Sequence, residues 1–139
     1  MSVDPDYLQI YEGRTDHPVS EAEKALVNEK SLIVRIGKGL HDDPTLESTE
    51  FIGLLKLSPR GAATWLDTFD KLARTVHPHQ PFKGATEFRK AYLTHFLQYL
   101  IDLGIAVAVS RVSGGWMEFD TPQDYERLMK RFSKVLINE

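Results

Sequence analysis

The segment 114–128, GGWMEFDTPQDYERL, holds the acidic residue whose position best suits chemistry. Asp120 stands where a short apolar segment ends and a helical pattern begins, and open α/β sheets bind ligands at such positions. A carboxylate beside glycines that let a ligand approach the backbone suits Mg²⁺ held on phosphate oxygens. Alternatively, Asp120 is an acid that stabilises or caps the start of a helix. The pattern alone favours this second interpretation.

Further polar residues offer weaker signals, each with an ordinary alternative. Glu118 shares a face with Asp120 if the segment is extended, so the two carboxylates could share a metal ion or Glu118 could be solvated. Lys38 lies between two glycines, directly after an apolar run. This position suits either a phosphate contact or a solvated turn. The charged stretch 13–23, which contains Asp16 and His17, fits a substrate-binding loop or a surface turn.

Other familiar kinds of site have little support. His77 and His79 bracket a proline and could bind a metal ion, but no third ligand stands at a recognisable spacing. The absence of cysteine excludes thiolate metal sites and thiol nucleophiles. The sequence also lacks a Walker A loop, a GxGxxG motif and a GxSxG motif. These 139 residues therefore contain no recognisable cradle for a nucleoside triphosphate.

Composition and charge limit the function classes. The 139 residues fit one domain, with 42% hydrophobic and 27% charged residues. The net charge of −3 comes from interspersed acids and bases, so we expect no nucleic-acid partner. The polar N-terminal stretch differs from a signal peptide, and no apolar run approaches the length of a membrane span. We expect a cytoplasmic protein without a membrane partner.

Apolar periodicity predicts alternating strands and helices after an irregular stretch 1–30. Strands are expected at 32–36, 50–57 and 105–112, with a short fourth at 116–119. Helices are expected from Pro59, capped by Ser58, from Ala85 to a glycine cap at Gly104, and from about 121 to 136. This alternation predicts an α/β fold with a small mixed sheet, about three helices and one domain over 1–139.

The predicted buried faces of the three helices follow from helical spacing. They comprise Ala62, Trp65, Leu66, Phe69, Leu72 and Ala73 in the first helix, Phe88, Ala91, Tyr92, Phe96, Tyr99, Leu100 and Leu103 in the second, and Tyr125, Leu128, Met129, Phe132, Val135 and Leu136 in the third. His95 is expected to be a partly buried polar residue beside the second face.

Five segments of this sequence resemble a known family when they are taken together. They read GRTDHPVSEAEKAL, VRIGKGL, TEFIGLLKLSPRGA, KAYLTHFLQYLIDLGI and GGWMEFDTPQDYERL. In this order they resemble the C-terminal half of sugar-nucleotidyltransferase-like enzymes. The branch they look most like comprises cytidylyltransferases that activate phosphocholine or phosphonates such as 2-aminoethylphosphonate. The resemblance spans residues 3–128, and its most specific block is GGWMEFDTPQDYERL.

The resemblance implies a partial Rossmann-like nucleotidyltransferase sandwich and roles for particular residues. Asp120 matches the family's Mg²⁺-binding aspartate, and Lys38 matches a position near the acceptor phosphate, where it would act in catalysis. Glu50 matches a position near the acceptor's amine-bearing end. The loop with Asp16 and His17 matches a segment near the acceptor, and Trp116 is also expected to contact substrate. The implied ligands are a nucleoside triphosphate, a small phosphate or phosphonate acceptor, and Mg²⁺.

Three hypotheses follow for the function. The first is a nucleotidyltransferase that transfers a cytidylyl group and is incomplete alone, because the family's nucleotide loop lies in the half that this chain lacks. The second is a non-catalytic binding or assembly module that forms a homodimer or pairs with a chain supplying that half, since a small sheet exposes its edges. The third is a metal-dependent hydrolase, which requires His77 or His79 to converge with Asp120.

Overall fold

The computed structural model describes the backbone of residues 1–137 and the side chains of residues 1–130. Five strands and four α-helices lie in this part of the chain. The strands are β1 (Ser2–Asp4), β2 (Lys24–Val27), β3 (Ile33–Gly37), β4 (Glu47–Phe51) and β5 (Ser110–Arg111). The helices are α1 (Leu8–Tyr11), α2 (Pro59–Thr75), α3 (Leu93–Asp102) and α4 (Pro122–Ile137).

The strands form one mixed sheet in the order β3-β2-β4-β1-β5. Strands β1 and β5 pair in parallel, and the other neighbours are antiparallel. The predicted α/β class with a small mixed sheet is therefore confirmed. The expectation of an irregular stretch 1–30 is wrong, because β1 and β2 both lie within it. These strands of three and four residues are too short for a periodic signal, and their pairing with neighbours defines them.

The second predicted strand, 50–57, is shifted in the structure. Strand β4 begins at the polar residue Glu47 and ends at Phe51, whereas the apolar residues that follow leave the sheet. Gly53 adopts a φ of 79° after the strand, and Leu54 is exposed. The polar residues belong to the strand because one face of the sheet is polar: Glu50 lies there, fully buried.

The predicted start of α2 is confirmed, but much of its predicted buried face is wrong. The Ser58 hydroxyl accepts a hydrogen bond from the Gly61 amide at 3.0 Å, and Pro59 occupies the first turn. Leu72 is buried, whereas Leu66 is 64% exposed and Phe69 and Ala73 are also exposed. The helix contacts the rest of the described chain through Leu72 and through the rings of Trp65 and Phe69, which both pack edge-to-face on Phe96. Leu66 and Ala73 face outward.

Helix α3 begins at Leu93 rather than at Ala85, and its predicted cap is confirmed. The amides of Phe88 and Arg89 donate to the carbonyls of Gln80 and Pro78, so they are unavailable for helical hydrogen bonds. Phe96 and Leu100 are buried as predicted. Tyr92 and Leu103, which were predicted to be buried, are exposed. Gly104 ends the helix with a φ of 83°, and its amide donates to the Ile101 carbonyl.

The C-terminal region departs from the prediction in two further ways. Strand β5 contains two residues instead of eight, and 116–119 forms no strand. Helix α4 is confirmed, but Tyr125 and Met129 are exposed, and Leu128 is partly buried. The predictions for Phe132, Val135 and Leu136 concern side chains outside those that the structure describes.

The two faces of the sheet differ in character. One face packs against α3 through a core of Val3, Ala25, Val27, Ile33, Ile36, Phe51 and Leu97. The other face carries polar side chains under a small aromatic cluster, in which Tyr7 and Tyr11 are buried and Trp116 is partly buried. No helix within the described residues combines the length and apolar character required to cross a bilayer.

Candidate functional site

The polar face of the sheet carries a row of ionisable side chains on adjacent strands. Asp4 of β1 lies opposite Glu50 of β4, which in turn lies opposite Lys24 of β2. Directly opposed residues on antiparallel strands point to the same face, so these three side chains share one surface. Asp4 and Glu50 are fully buried. Buried carboxylates need hydrogen-bond partners, and the surrounding loops supply most of them.

Asp4 accepts hydrogen bonds from three N–H groups. The Asp6 amide donates to Oδ1 at 2.7 Å, while the Gly114 amide and the indole of Trp116 donate to Oδ2 at 3.0 and 2.7 Å. The segment 114–116 is therefore joined to the end of β1. Trp116, predicted to contact substrate, here binds Asp4 and packs against the tyrosine cluster. Its substrate-binding role stays a prediction.

Glu50 is buried beneath Tyr11, with one oxygen unpaired. The Tyr11 hydroxyl donates to Oε1 at 2.5 Å, and Oε2 has no hydrogen-bond partner in the described part of the chain. Burial raises the pKa of Glu50 to about 7, partly opposed by the Tyr11 hydrogen bond and increased by the charge of Glu118. Burial and the Glu50 carboxylate also raise the pKa of Tyr11. A ligand reaches Glu50 only if Tyr11 moves.

The guanidinium of Arg14 contacts three carboxylates from the C-terminal part of the chain. Its Nε donates to Asp124 at 2.7 Å, NH1 to Glu118 at 2.7 Å, and NH2 to Asp120 at 3.0 Å. The Arg14 side chain is only 2% exposed. Burial disfavours its charge, but hydrogen bonds to Asp124 and Glu118 outweigh this effect and raise the pKa of Arg14. The same contact holds the pKa of Asp124 well below its ordinary value.

Asp124 also takes part in the cap of α4, and this cap does not involve the Asp120 side chain. The Thr121 amide and hydroxyl both donate to Asp124 Oδ2, and the Asp124 amide donates back to the Thr121 hydroxyl at 3.2 Å. This reciprocal arrangement is a capping box, with Thr121 as the cap residue. The Asp120 carboxylate is not needed for capping; it accepts from Arg14 and is 47% exposed. The observed geometry is thus the one in which Asp120 is available for another role.

His17, Glu118 and Asp120 form a group whose composition suits a metal ion. Each offers one ligand atom, and these atoms lie within 4.8 Å of one another. Arg14 contacts both carboxylates, which opposes cation binding, but it uses Oε2 of Glu118 and Oδ2 of Asp120 and leaves the other oxygens. Three carboxylates around one guanidinium leave two uncompensated negative charges. A divalent cation matches this charge, so the donor set fits a metal ion.

Lys38 lies apart from this acidic group. Its Nζ pairs with Glu21 at 3.2 Å and lies 5.7 Å from the centroid of the Tyr92 ring. It lines a cavity of about 400 Å³ between the end of β3 and the start of α3, together with Arg35, Lys83 and His95. Lys83 pairs with Asp102 as Lys38 does with Glu21, but the three cationic side chains still make the cavity a suitable environment for an anion. The predicted catalytic role of Lys38 remains untested.

Two other predicted groups have clear positions. Asp16 is exposed, and its amide donates to the Gln123 side chain at 3.2 Å, so the loop that carries it is held against the start of α4. His79 pairs with Glu87 in the proline-rich loop, next to His77. Neither of these histidines belongs to the group around Asp120 in the described residues, so the convergence that the hydrolase hypothesis requires is not found there.

Sequence reasoning did not identify Tyr11 or Asp124 as parts of the site. The T-x-x-D spacing from Thr121 to Asp124 is a local signal for the capping box and could have identified Asp124. Tyr11 has no comparable signal, because its contact with Glu50 depends on the pairing of β1 with β4.

Replacing Arg14 with methionine removes the charge that compensates buried Asp124. We expect Arg14→Met to lower the free energy of unfolding by about 3–5 kcal/mol, the cost of leaving one member of a buried ion pair unpaired. Urea unfolding followed by tryptophan fluorescence measures the change. Arg89→Met, which breaks an exposed ion pair with Glu87, is the control and should cost less than about 1 kcal/mol. Equal effects in the two variants would contradict the assigned role of Arg14.

The raised pKa of Glu50 predicts how stability varies with pH. Between its ordinary value of 4.5 and about 7, the folded state binds more protons at Glu50 than the unfolded state does. The free energy of unfolding therefore decreases as pH rises through this interval, by about 3 kcal/mol in total, and this contribution is constant above it. Asp124 adds no slope there, because its lowered pKa restricts its effect to more acidic pH.

We expect Glu50→Gln to abolish this decrease while keeping an acceptor for Tyr11. Denaturation curves at several pH values between 4.5 and 8 compare the slopes of wild type and variant, so the contributions of the histidines cancel. Glu47→Gln, at the start of the same strand, is the control and should retain the wild-type slope. An identical pH dependence in wild type and Glu50→Gln would show that Glu50 does not titrate in this range.

Comparison with known proteins gives one informative match. CTP:phosphoglutamine cytidylyltransferase of Campylobacter jejuni is 26% identical to this chain over 124 residues, which cover 89% of the chain and 46% of the relative. The chain thus spans about half the length of this curated relative. No protein-family model matches the chain, and no solved structure matches it. The similarity supports a cytidylyltransferase-like relationship, whereas the predicted phosphocholine and phosphonate branch is not the one that the relative's name indicates.

Proposed function

We propose that this chain forms the acceptor-binding and metal-binding half of a cytidylyltransferase-type active site. In the proposed reaction, CTP donates a cytidylyl group to a small acceptor that carries a phosphate or phosphonate. The observation that carries this proposal is the convergence of Glu118, Asp120 and His17 where the loop after α1 meets the start of α4. The distant similarity to a cytidylyltransferase supports the reaction class.

The acidic group is the proposed site for Mg²⁺. Asp120 and Glu118 would hold the ion, since hard divalent cations prefer carboxylate oxygens. When bound, the ion supplies electrostatic neutralisation of phosphate oxygens. Arg14 holds the two carboxylates in position, because its side chain is almost fully buried and donates hydrogen bonds to both. Asp124, already occupied by Arg14 and by the helix cap, acts only as a structural anchor.

The basic cavity is the proposed site for the acceptor's anionic group. Lys38, Arg35 and Lys83 line it, and neutralising the acceptor phosphate would reduce its repulsion from the triphosphate of CTP. An oxygen of the acceptor phosphate attacks the α-phosphorus of CTP, forming a new P–O bond. The bond from the α-phosphorus to the bridging oxygen breaks, and pyrophosphate leaves. The loop between Arg14 and Glu21 connects the acidic group to this cavity, because Glu21 pairs with Lys38.

The proposal assigns binding of the triphosphate to residues outside these 139. The sequence contains no glycine-rich phosphate loop, and the relative is more than twice as long as the region that matches it. The acceptor of that relative is named as phosphoglutamine, so phosphoglutamine joins phosphocholine and 2-aminoethylphosphonate among the acceptors to test. Asp16 keeps its predicted role near the acceptor as part of the proposal, whereas Glu50, buried beneath Tyr11, and Trp116, bonded to Asp4, would have to exchange these contacts to reach the acceptor.

Acceptor binding and turnover by the chain test the proposed function. We expect isothermal titration calorimetry to detect binding of at least one phosphorylated acceptor in the presence of Mg²⁺. Lys38→Met should weaken it roughly tenfold or more, the effect of losing one charge-assisted hydrogen bond. Lys71→Met is the matched control, because Lys71 is exposed on α2 and pairs with Asp67. With CTP present, we expect little pyrophosphate release from the chain alone.

Two results would contradict the proposal. Acceptor affinity that Lys38→Met and Asp120→Asn both leave unchanged would exclude the proposed sites. Substantial CTP-dependent pyrophosphate release from the chain alone would exclude the division of the active site between these residues and others.

A binding or assembly module is the second candidate function, and the apolar surface beside α2 favours it. Exposed Phe69, Tyr92 and Leu93 line an apolar cavity of about 390 Å³, and Leu66 is exposed on the same helix as Phe69. Exposed apolar surfaces of this kind commonly mark contacts with other proteins. Sedimentation velocity distinguishes this candidate, since it requires an oligomer that Leu66→Lys dissociates, whereas a monomer at all concentrations argues against self-assembly.

A further inference from the structure

His17 faces both carboxylates of the acidic group without bonding to either. Its Nδ1 lies 3.8 Å from Asp120 Oδ2, and its Nε2 lies 4.0 Å from Glu118 Oε2. Both separations exceed hydrogen-bond length. The imidazole is nevertheless mostly enclosed, with 20% of its side chain exposed, and lies beside the Tyr11 ring. The position of His17 therefore needs an explanation other than a hydrogen bond to the acids.

The group suits one metal ion if a single imidazole nitrogen of His17 binds it together with the carboxylate oxygens that Arg14 leaves. Nitrogen and oxygen ligands lie about 2.0–2.2 Å from a transition-metal ion. Two ligands on roughly opposite sides of such an ion are therefore about 4 Å apart. The ligand atoms of His17, Glu118 and Asp120 all lie within 4.8 Å of one another, so the three side chains must move slightly closer together to share one ion.

The backbone that carries His17 is fixed in place. Gln123 of α4 accepts from the Thr15 and Asp16 amides at 2.8 and 3.2 Å, and its own amide donates to the Thr15 hydroxyl. Arg14, at the start of the same loop, is anchored to Asp124. Two sets of contacts thus join the loop to α4, one through Gln123 and one through Asp124. They hold His17 close to the two carboxylates before any ligand binds.

We propose that His17 completes this metal site and gives it a preference for first-row transition-metal dications, such as Mn²⁺ and Co²⁺, over Mg²⁺. The inference rests on the metal site of the proposed function and extends it to metal selectivity. Mg²⁺ strongly prefers oxygen ligands, whereas affinities of mixed nitrogen and oxygen sites rise from Mn²⁺ to Co²⁺. One imidazole with two carboxylates therefore binds these ions in that order and Mg²⁺ more weakly.

Metal binding by the complete chain tests the inference without any measurement of activity. Electron paramagnetic resonance of free Mn²⁺ gives its affinity, visible absorption follows Co²⁺, and competition gives the affinity for Mg²⁺. We expect His17→Asn to weaken Mn²⁺ and Co²⁺ binding roughly tenfold or more, because one ligand is lost. His17→Asp makes the three ligands all oxygen donors and should shift the ratio of Co²⁺ to Mg²⁺ affinity towards Mg²⁺. His77→Asn, in an exposed loop, is the control.

Nuclear magnetic resonance of the histidine side chains tests the wild type directly. Saturating Co²⁺ should shift the His17 ring signals strongly, and substitution of His17 identifies them among those of the five histidines. Unshifted His17 signals, or equal Co²⁺ affinity in wild type and His17→Asn, would overturn the inference. Co²⁺ bound through His17 in a chain that binds no acceptor would overturn the proposed function and leave this inference intact. Acceptor binding in a chain whose His17 does not bind Co²⁺ would overturn this inference and leave the proposed function intact.

Discussion

The contact of one buried arginine with three carboxylates determines how the polar side of this molecule is arranged. A guanidinium that is almost fully removed from water needs compensating charge and acceptors for its N–H groups. Arg14 obtains both from Glu118, Asp120 and Asp124, so the end of α1 must lie against the start of α4. The same requirement places the loop that carries His17 beside the acids. The position of the candidate site thus follows from the need to pair the buried charge of Arg14 with carboxylates.

Asp124 connects this electrostatic requirement to helix formation. Both oxygens of the Asp124 carboxylate accept hydrogen bonds from Arg14, and one of them also accepts from the Thr121 hydroxyl in the helix cap. Since the cap of α4 is complete without Asp120, the neighbouring acid can project towards solvent. The molecule therefore contains two aspartates four residues apart with different tasks: Asp124 is buried and structural, and Asp120 is accessible to a ligand.

Sequence information predicted those features that are local. The start of α2 and the glycine cap of α3 were predictable because the residues that produce them lie within one helical turn. The strands β1 and β2 were not, since three or four residues carry no period and partner strands define them. The outward face of α2 was misjudged for another reason: spacing identifies an apolar stripe, but the stripe itself does not show how much of it the fold covers.

The candidate site was predictable only in part for the same physical reason. Asp120, His17 and Lys38 could be selected one at a time by residue type and by resemblance. That His17 joins Asp120 while Lys38 lines a separate cavity depends on contacts between distant segments. The buried state of Glu50 likewise follows from the pairing of β4 between β1 and β2. No local pattern within the β4 segment could have indicated it.

The sequence separation of the Arg14 contacts has a consequence for the order of folding. Arg14 and Asp124 are 110 residues apart, and Trp116 lies 112 residues from its acceptor Asp4. Contacts at such separation carry a large loop-closure cost and form late. During synthesis, β1 to β4 can pair before the ribosome has released the residues that complete the polar face. Throughout that interval Asp4 and Arg14 lack the partners that residues 114–124 supply, so the candidate site is completed after the sheet that supports it.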